Sequence, residues 1–296
     1  MDIYYIDRET QKRVKEKVYG KNFLELLYKG NPLSYMLRAI VCRIPWFSVL
    51  YGWLQKRSAS RKKILPFIEA YGVDTAEFFD TVESFASFND FFIRRLKPDA
   101  RPITPGDEVA ILPADGRYRV IPSLKEADHI VVKGQHLKLG ELFGCGELAK
   151  TYAEGALAIA RLAPVDYHRF HFPFDCIPEA SRLINGPLFS VNPIALRKNI
   201  DILSENKRVI TPLESKVFGR VLFIEVGATN VGSIHQSFTA GKPNAKGDEK
   251  GYFSFGGSCL LLFFEPGRIL FEPDLVEASA GGLEVLGKMG QPLGKR

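Results

Sequence analysis

Cysteine is scarce in this sequence and its spacing forms no recognised motif. The four cysteines are far apart, at Cys42, Cys145, Cys176 and Cys259, and no C-x-x-C pair occurs. This spacing excludes a zinc ribbon and a thioredoxin-type redox motif. Scattered cysteines are typical of a reducing compartment, although their even number leaves disulfides open.

Several other signatures are missing as well. No G-x-G-x-x-G segment opens a βαβ unit and no P-loop occurs, so nucleotide binding is unsupported. The sequence holds no internal repeat and no low-complexity tract. Its first residues lack the basic segment followed by an apolar segment that marks a signal peptide. We therefore expect the protein to stay on the side of the membrane where it is made.

Positive charge is concentrated at the N-terminal end. Residues 1–63 hold 14 Lys and Arg against 5 Asp and Glu, a net charge of +9. The remaining residues hold 26 against 29, a net charge of −3. Such an asymmetry predicts an acidic partner, either a membrane surface or a nucleic acid. No nucleic-acid-binding motif accompanies it, so we expect a membrane.

The most apolar stretch, residues 33–54, is interrupted. Arg38 and Arg43 would each cost about 2.5–3.5 kcal/mol at the centre of a membrane-spanning helix. Pro45 splits the stretch, and the uncharged remainder is too short to span a bilayer. A basic cluster follows at Lys56, Arg57, Arg61, Lys62 and Lys63. Aromatic residues beside a polybasic run predict an anchor in the membrane interface. The alternative is a buried helical subdomain with a solvated basic face.

The pattern of the chain changes near residue 103. Before it, apolar residues show helical spacing. Capping residues, Thr75 or Asp74 for one helix and Ser87 or Asn89 for the next, predict helices near 74–80 and 88–96. A linker with three prolines follows, at Pro98, Pro102 and Pro105. Beyond it, β-branched and aromatic runs predict strands at 109–112, 117–121, 129–133, 157–163, 217–226, 252–254 and 259–264. The sequence therefore predicts an α+β protein. Residues 1–103 would form a helical membrane-associating region, and 104–296 a mostly antiparallel β-sandwich or barrel catalytic domain.

Two short segments hold residue types suited to acid–base chemistry. Asp115 precedes Gly116, and an Asp-Gly pair at the end of a strand usually only forms a turn. His168 and His171 lie within residues 163–173, between prolines. Both rings can face one site if this segment is a turn, but not if it is a straight strand. An H-x-x-H pair could be half of a metal site, yet no further ligands cluster beside it. General acid–base work suits the pair better, and hydrogen-bonded structural histidines are the alternative.

A third segment, Gly256-Gly257-Ser258-Cys259, places a hydroxyl and a thiol after two glycines. Gly257 has no Cβ, so its backbone can adopt a strained shape and its carbonyl can be approached closely by the next hydroxyl. The alternative is a glycine-rich bulge or hairpin, which the spacing alone favours. Together the three segments supply an acid, a base and a nucleophile, but spacing does not show that they meet in space.

The Gly-Gly-Ser junction before an apolar strand resembles the self-cleavage motif of the phosphatidylserine decarboxylases. Further blocks match that family in the same order, over residues 3 to 290. The blocks are 91–98, 113–116, 166–171, 191–193, 226–234 and 246–258. Six blocks in order are far more specific than one motif. One position departs from the family, because Cys259 stands where the family usually has Thr or Ser. Cys is of similar size but a poorer hydrogen-bond partner, so we expect a mild effect on cleavage. Its thiol is a competing nucleophile, but it should be largely protonated.

The resemblance implies a self-cleavage reaction. Asp115 would orient His171, which would take the proton from Ser258 Oγ so that the oxygen attacks the carbonyl of Gly257. An ester forms, and β-elimination then releases the two chains 1–257 and 258–296. Hydrolysis converts the new N-terminus of the short chain, derived from Ser258, into a pyruvoyl cofactor. No metal is expected.

The resemblance also implies the reaction of the mature enzyme. The pyruvoyl group would accept the electrons that remain when CO₂ leaves phosphatidylserine, giving phosphatidylethanolamine, much as other electron-sink cofactors do. His168 would donate a proton to the resulting carbanion. The residues near Asn192 and Asn230 are candidates for lining the substrate pocket.

The partners implied are phosphatidylserine in an anionic membrane, a heterodimer of the two cleaved chains, and a homodimer of these, with no nucleic acid. The implied location is peripheral, on the cytoplasmic face of the cell membrane. Three alternatives compete with this function. They are a pyruvoyl decarboxylase of a soluble amino acid or S-adenosylmethionine, a membrane-binding homologue that no longer cleaves, and a serine hydrolase. The missing G-x-S-x-G context disfavours the last.

Overall fold

The structure is a computed structural model, and it describes residues 2–43, 45–125, 137–229, 233–254, 256 and 258–296, without the side chains of 43–49. The strands are β1 Tyr4–Asp7, β2 Arg13–Lys15, β3 Val109–Ile111, β4 Gly116–Ile121, β5 Ala156–Leu162, β6 Arg169–His171, β7 Ile177–Pro178, β8 Arg182–Ile184, β9 Arg208–Ser215, β10 Gly219–Gly227, β11 Ile234–Gln236, β12 Glu249–Phe253, β13 Ser258–Phe264, β14 Leu270–Phe271, β15 Glu284–Gly287 and β16 Pro292–Lys295. The helices are α1 Lys21–Leu27, α2 Pro32–Arg43, α3 Pro45–Lys56, α4 Ile64–Tyr71, α5 Phe88–Phe92, α6 Leu139–Phe143, α7 Gly146–Tyr152, α8 Pro193–Leu196, α9 Ile202–Glu205 and α10 Pro273–Ala280.

Most of the strands join one large sheet. Across the described ranges it has ten strands in the order β2-β1-β15-β4-β5-β13-β10-β9-β7, with β8 also paired to β9. Every pair is antiparallel except β1 with β15. Two small sheets accompany it, in the orders β11-β12-β6 and β14-β16-β3. The mostly antiparallel architecture predicted for the C-terminal part is confirmed.

The central strands are apolar on both faces because both faces of the large sheet are covered. Alternate residues of β13 point to opposite sides. Leu260, Leu262 and Phe264 join the small sheets and α10 in one core, whereas Cys259, Leu261 and Phe263 pack against the helices in another. Full burial of one such Leu or Phe stabilises the fold by about 1.5–3 kcal/mol. The apolar run that follows the Gly-Gly-Ser junction is therefore the centre of the molecule.

The N-terminal part has a third, mainly aromatic core. Buried phenylalanines of α4, α5 and the turns between them pack edge-to-face, at Phe67, Phe78, Phe85, Phe88 and Phe91, and Phe92 belongs to the same core. One of the two predicted alternatives forms each cap, since Asp74 accepts a hydrogen bond from the Ala76 amide and Ser87 accepts one from the Asp90 amide. The helices they open are shorter than expected. Residues 75–77 form a single 3₁₀ turn, and α5 ends at Phe92.

Two expectations from the sequence are wrong, and a third concerns residues that the structure does not describe. The barrel alternative is wrong among the described residues, because β2 and the β7–β8 pair leave two open edges that do not meet. Residues 2–20 are not helical, because β1 and β2 form a hairpin that pairs with β15 near the other end of the chain. Such a distant partner leaves no local pattern in the sequence. The strand expected at 129–133 lies outside the described residues. The division near residue 103 remains a prediction.

Candidate active site

Ser258 lies at the start of the central strand β13. It pairs with Leu162 of β5 on one side and with Gly227 of β10 on the other, and it is fully buried. Gly256, two residues earlier, has a φ of 138°, a backbone conformation that favours glycine. Gly257, the predicted cleavage site, lies outside the described residues. The predicted nucleophile is thus held on both sides by the sheet.

His168 is the titratable side chain that the structure places against Ser258. Its Nδ1 lies 3.5 Å from Ser258 Oγ, and its Nε2 lies 2.9 Å from the carbonyl oxygen of Ala163. A carbonyl only accepts hydrogen bonds, so this contact assigns the ring proton to Nε2. The lone pair of Nδ1 then faces the serine hydroxyl. The ring is therefore oriented to accept a proton from Ser258.

The turn between β5 and β6 delivers this histidine to the end of β13. The Asp166 carboxylate accepts a hydrogen bond from the Ala163 amide at 2.6 Å, and the Asp166 amide donates to the Ala163 carbonyl at 2.9 Å. Arg94 donates to the carbonyls of Val165 and Asp166. Burial lowers the pKa of His168 to about 3, against an ordinary value of 6.5. The imidazole is therefore neutral near pH 7, as a proton acceptor must be.

His171 and Asp115 have other partners in this structure. His171 lies in β6, with Nδ1 2.8 Å from the Gly247 carbonyl and Nε2 3.3 Å from the Tyr167 hydroxyl. Burial lowers its pKa, and the negative charge of Asp115 acts in the opposite direction. In the described part of the chain, no hydrogen bond joins His171 to Asp115 or to Ser258. The structure therefore brings Ser258 to His168, although the predicted order was Asp115, His171 and Ser258.

Asp115 is held by an arginine that the sequence analysis did not single out. Arg101 donates from Nε at 2.9 Å and from Nη2 at 2.6 Å to the Asp115 carboxylate. The Met289 amide donates to the same carboxylate at 2.8 Å. Arg101 also bonds Glu77 at 2.9 Å, which connects Asp115 to the N-terminal part. The proline-rich linker in which Arg101 lies gave no signal of this contact.

A second group of buried ion pairs was also not predicted from the sequence. Arg161 of β5 bonds Glu16 at 2.7 Å and Glu284 at 2.6 Å, and Arg117 of β4 bonds Asp166. The positive charge of Arg117 lowers the pKa of Asp166 against a larger effect of burial, which raises it. These pairs join the N-terminal hairpin, the large sheet and the turn that carries His168. Residues so far apart in sequence give no local pattern.

A cavity of about 560 Å³ lies at the end of the central strands. Gly256 lines it, and so does Asn192, one of the predicted pocket residues; Asn230 lies outside the described residues. Aromatic side chains of the N-terminal part also line it, at Tyr19, Phe23, Tyr51 and Tyr71. The cavity is large enough for a polar headgroup. It adjoins the segment that would be cut.

Cys259 points away from the predicted chemistry. It follows Ser258 in β13, so its side chain lies on the opposite face, fully buried among apolar residues. Burial raises the pKa of its thiol. Within the described ranges, no group of three His, Cys, Asp or Glu side chains could hold a metal ion.

Comparison with known proteins identifies relatives of the whole chain. The model of the phosphatidylserine decarboxylase family matches residues 88–295. The phosphatidylserine decarboxylase proenzyme of Chlamydia pneumoniae is 49% identical over 291 residues, which cover 98% of this chain and 96% of that protein. The proenzyme of the same name from Chlamydia muridarum is 49% identical over 295 residues, covering 100% and 98%. That from Chlamydia trachomatis serovar D is 46% identical over 295 residues, with the same coverage.

Proposed function

This chain belongs to the phosphatidylserine decarboxylase family, and we propose that it converts phosphatidylserine to phosphatidylethanolamine after cutting itself between residues 257 and 258. The observation that carries the proposal is the position of Ser258. Its hydroxyl is buried at the start of β13 and faces the unprotonated nitrogen of His168. A serine in this setting can be activated as a nucleophile.

Self-cleavage would proceed by attack of Ser258 Oγ on the carbonyl carbon of residue 257. The peptide C–N bond breaks as the ester C–O bond forms, and the proton of the hydroxyl passes to the new amine through a histidine. Loss of the Cα proton of residue 258 then breaks its Cβ–O bond, leaving a carboxylate at 257. Water replaces nitrogen at Cα of 258, releasing ammonia and leaving a pyruvoyl group.

The surroundings of residue 258 fit a pyruvoyl group. The position is dry, is fixed by neighbouring strands on both sides, and has one neutral imidazole within hydrogen-bond distance. Once formed, this cofactor supplies an electron sink for decarboxylation. The residues of the chain would bind the lipid headgroup in the adjacent cavity. By the resemblance, His168 would deliver a proton to the carbon that loses CO₂, which requires that its Nδ1 first take up a proton.

His168 is the imidazole within hydrogen-bond distance of Ser258 Oγ. His171 bonds Gly247 and Tyr167 in this structure, and the negative charge of Asp115 favours its protonated form. We retain the assignment by resemblance, with Asp115 and His171 in self-cleavage and His168 in decarboxylation. Separate alanine variants of the two histidines distinguish these roles.

The two chains should stay together after cleavage. Residues 258–296 contribute β13, which is hydrogen-bonded to β5 and β10 along its length, as well as β15 between β1 and β4. Removing the short chain would expose the centre of the core. We expect the heterodimer of 1–257 and 258–296 to pair into a homodimer, a prediction by resemblance that size-exclusion chromatography with light scattering tests.

Membrane association is supported by exposed apolar side chains on the N-terminal helices. Within the described residues of 2–65, ten apolar side chains are 40–59% exposed: Phe23, Leu26, Leu33, Tyr35, Met36, Ile40, Leu50, Trp53, Leu54 and Leu65. We call these residues the apolar face. Among the described residues, no helix is long and apolar enough to cross a membrane. Arg38 and Arg57 lie beside Tyr35 and Trp53 and supply positive charge for anionic headgroups.

The apolar face and the cavity share a residue, which suggests how the substrate enters. Phe23 of α1 is 47% exposed and also lines the cavity beside Gly256. A lipid held at this face could place its headgroup in the cavity while its acyl chains stay in the bilayer. We propose that the protein binds peripherally, on the cytoplasmic face of the cell membrane.

Intact mass spectrometry of the purified protein tests the proposal, with Ser258→Ala as the control. Two fragments are expected, the smaller starting at residue 258 with the mass of a pyruvoyl terminus, and only uncut chain in the variant. An uncut 33.2 kDa chain in the unmutated protein would favour a non-cleaving membrane-binding homologue. Cleavage without turnover of phosphatidylserine vesicles would favour a soluble amino acid as substrate.

A further inference from the structure

A fully buried ion pair lies near the active site. The proposed chemistry does not use it. Lys250 of β12 and Glu225 of β10 are both 0% exposed and bond each other directly. The Lys250 ammonium also donates to Thr211 Oγ1 at 3.0 Å and to Gln236 Oε1 at 2.8 Å. Three aromatic rings surround Nζ with centroids 4.8–5.7 Å away, those of Phe170, Phe223 and Phe238. The ammonium is thus fully engaged and closed to ligands.

Lys250 lies in a β-bulge beside the histidine-bearing strand. Glu249 pairs with His171 and Gly251 pairs with Phe170, so Lys250 is the extra residue between two pairs. A bulge turns the side chain of its extra residue and bends the strand. Here it sends the lysine into the core. The same strand is anchored to the turn before β6, because the Phe253 amide donates to the His168 carbonyl at 3.0 Å.

Glu225 lies beside the nucleophile. It pairs with Leu260 of β13, and Gly227, two residues on, pairs with Ser258. Residues directly opposite in a sheet share a face, so Glu225 is a diagonal neighbour of Ser258 on the same face, where Cα atoms are about 7–8 Å apart. The ion pair therefore joins the strand beside the histidines to the strand beside Ser258.

The pair is poorly suited to stabilising the fold. Burial lowers the pKa of Lys250, and the charge of Glu225 acts in the opposite direction. Burial raises the pKa of Glu225, and the charge of Lys250 acts in the opposite direction. Over the described residues, Glu225 Oε2 and Gln236 Nε2 have no hydrogen-bond partner. Apolar residues of similar size are often at least as stable as a buried ion pair, whereas removing one partner is strongly destabilising. A role in fixing register is the better-attested use of such groups.

We propose that the Lys250–Glu225 pair fixes the bulge of β12 against β6, and so positions His168 against residue 258. Both are positioning residues, since neither touches the reacting atoms. Without the pair, β12 can pair with β6 without a bulge or with the bulge one residue away, and either shift moves the turn that carries His168. The inference rests on the proposed function for its kinetic consequences but not for its structural ones.

The test compares Lys250→Met, Glu225→Leu and the double variant with the unmutated protein. Each single variant should unfold at a lower temperature, because it leaves one buried charge unpaired, and the double variant should recover the melting temperature. The double variant should nevertheless cut itself about tenfold more slowly, because misplacing a catalytic group is costly. Per pyruvoyl group, kcat should fall while KM for phosphatidylserine stays unchanged. The double variant Arg8→Met, Asp274→Leu removes a partly buried pair elsewhere and serves as the control.

Hydrogen exchange separates the failure of this inference from failure of the proposed function. In the uncut Ser258→Ala background, the Lys250–Glu225 double variant should exchange amides of 168–171 and 249–253 faster, while the control variant should not. Unchanged exchange there would overturn the inference even if cleavage were slow, and so would an unchanged cleavage rate in the folded double variant. If the unmutated protein never cut itself, the proposed function would fail. Hydrogen exchange alone would then test whether the ion pair fixes the register of β12 against β6.

Discussion

The ring of Phe92 stacks on the ring of His168, with centroids 3.9 Å apart and planes inclined by 24°. Phe92 ends α5 of the N-terminal part, whereas His168 lies at the active site. The aromatic core of the N-terminal part thus supports one side of the imidazole, and Ala163 and Ser258 hold its two nitrogens. A group at a reaction centre works best when neighbours fix its orientation.

Replacing Phe92 by Leu should therefore impair catalysis more than folding. The side chain stays apolar, but the flat support for His168 is lost, so we expect kcat per pyruvoyl group to fall about tenfold at unchanged KM. Phe85→Leu is the matched control, because Phe85 packs on Phe78 and Phe91 in the same core. Both variants should lose similar stability in urea unfolding. Equal activity of the two variants would remove Phe92 from the set of positioning residues.

The two histidines should separate cleavage from decarboxylation. We expect His171→Ala to stay uncut, since it removes the base that Asp115 supports. His168→Ala should still cut itself slowly, yet the cut protein should lose about 10²–10⁴-fold in turnover, the usual contribution of a general acid. Gel analysis of cleavage and vesicle assays per pyruvoyl group give the two rates. The reverse result, an uncut His168→Ala and a cut His171→Ala, would assign the base to His168, the nearer ring.

The depressed pKa of His168 predicts an acid-sensitive fold. Between pH 6.5 and about 3, this imidazole binds a proton in the unfolded chain but not in the folded one. Its contribution to stability is therefore complete above pH 6.5 and is lost as the pH falls towards 3. From pH 7 to 5, an uncut Ser258→Ala protein should lose about 2 kcal/mol more than the same protein with His168→Gln. Urea unfolding at the two pH values measures this, and equal losses would mean that His168 is accessible to protons in the folded state.

Local patterns in the sequence predicted the parts of the fold that depend on local physics. Six of the seven expected strands lie within or overlap observed ones, and Asp74 and Ser87 cap their turns as expected. Distant pairings could not be predicted in this way. The contact of β1 with β15 and the bond of Arg161 to Glu16 join residues whose neighbours in sequence reveal nothing about them.

For the same reason, the sequence alone could not show which of the two histidines faces Ser258. Motif order placed Asp115, His171 and Ser258 in one reaction, but which ring faces the serine depends on the turn at 163–168. That turn is set by Asp166 within it and by Phe92 and Arg94, which lie some seventy residues earlier in the N-terminal part. The spacing of His168 and His171 contains no information on these contacts.

Cys259, the position that departs from the family, should not take part in cleavage. Its side chain lies on the face of β13 opposite to that of Ser258 and is fully buried. Cys259→Val keeps the apolar surroundings, so cleavage should proceed at the unmutated rate. Cys259→Ser buries a hydroxyl among apolar groups and should cost about 1–3 kcal/mol of stability. Time courses of cleavage and thermal unfolding measure the two effects, and slower cleavage in the folded Val variant would give the thiol a part in the reaction.

Membrane binding should depend on the apolar face and on anionic lipid together. Met36 belongs to the apolar face and is 56% exposed, and a carboxylate there would have to be desolvated to enter the headgroup layer. Met36→Asp should therefore weaken binding to vesicles that contain phosphatidylserine by about tenfold or more, as measured by flotation. Leu270→Asp is the matched control, because Leu270 is 68% exposed on the far part of the chain and should have no effect. Binding of the unmutated protein should fall in high salt or on neutral vesicles, since screening weakens the attraction of the basic residues. Equal weakening by both variants would place the membrane contact elsewhere, and cleavage should be normal in both because Ser258 lies in the core.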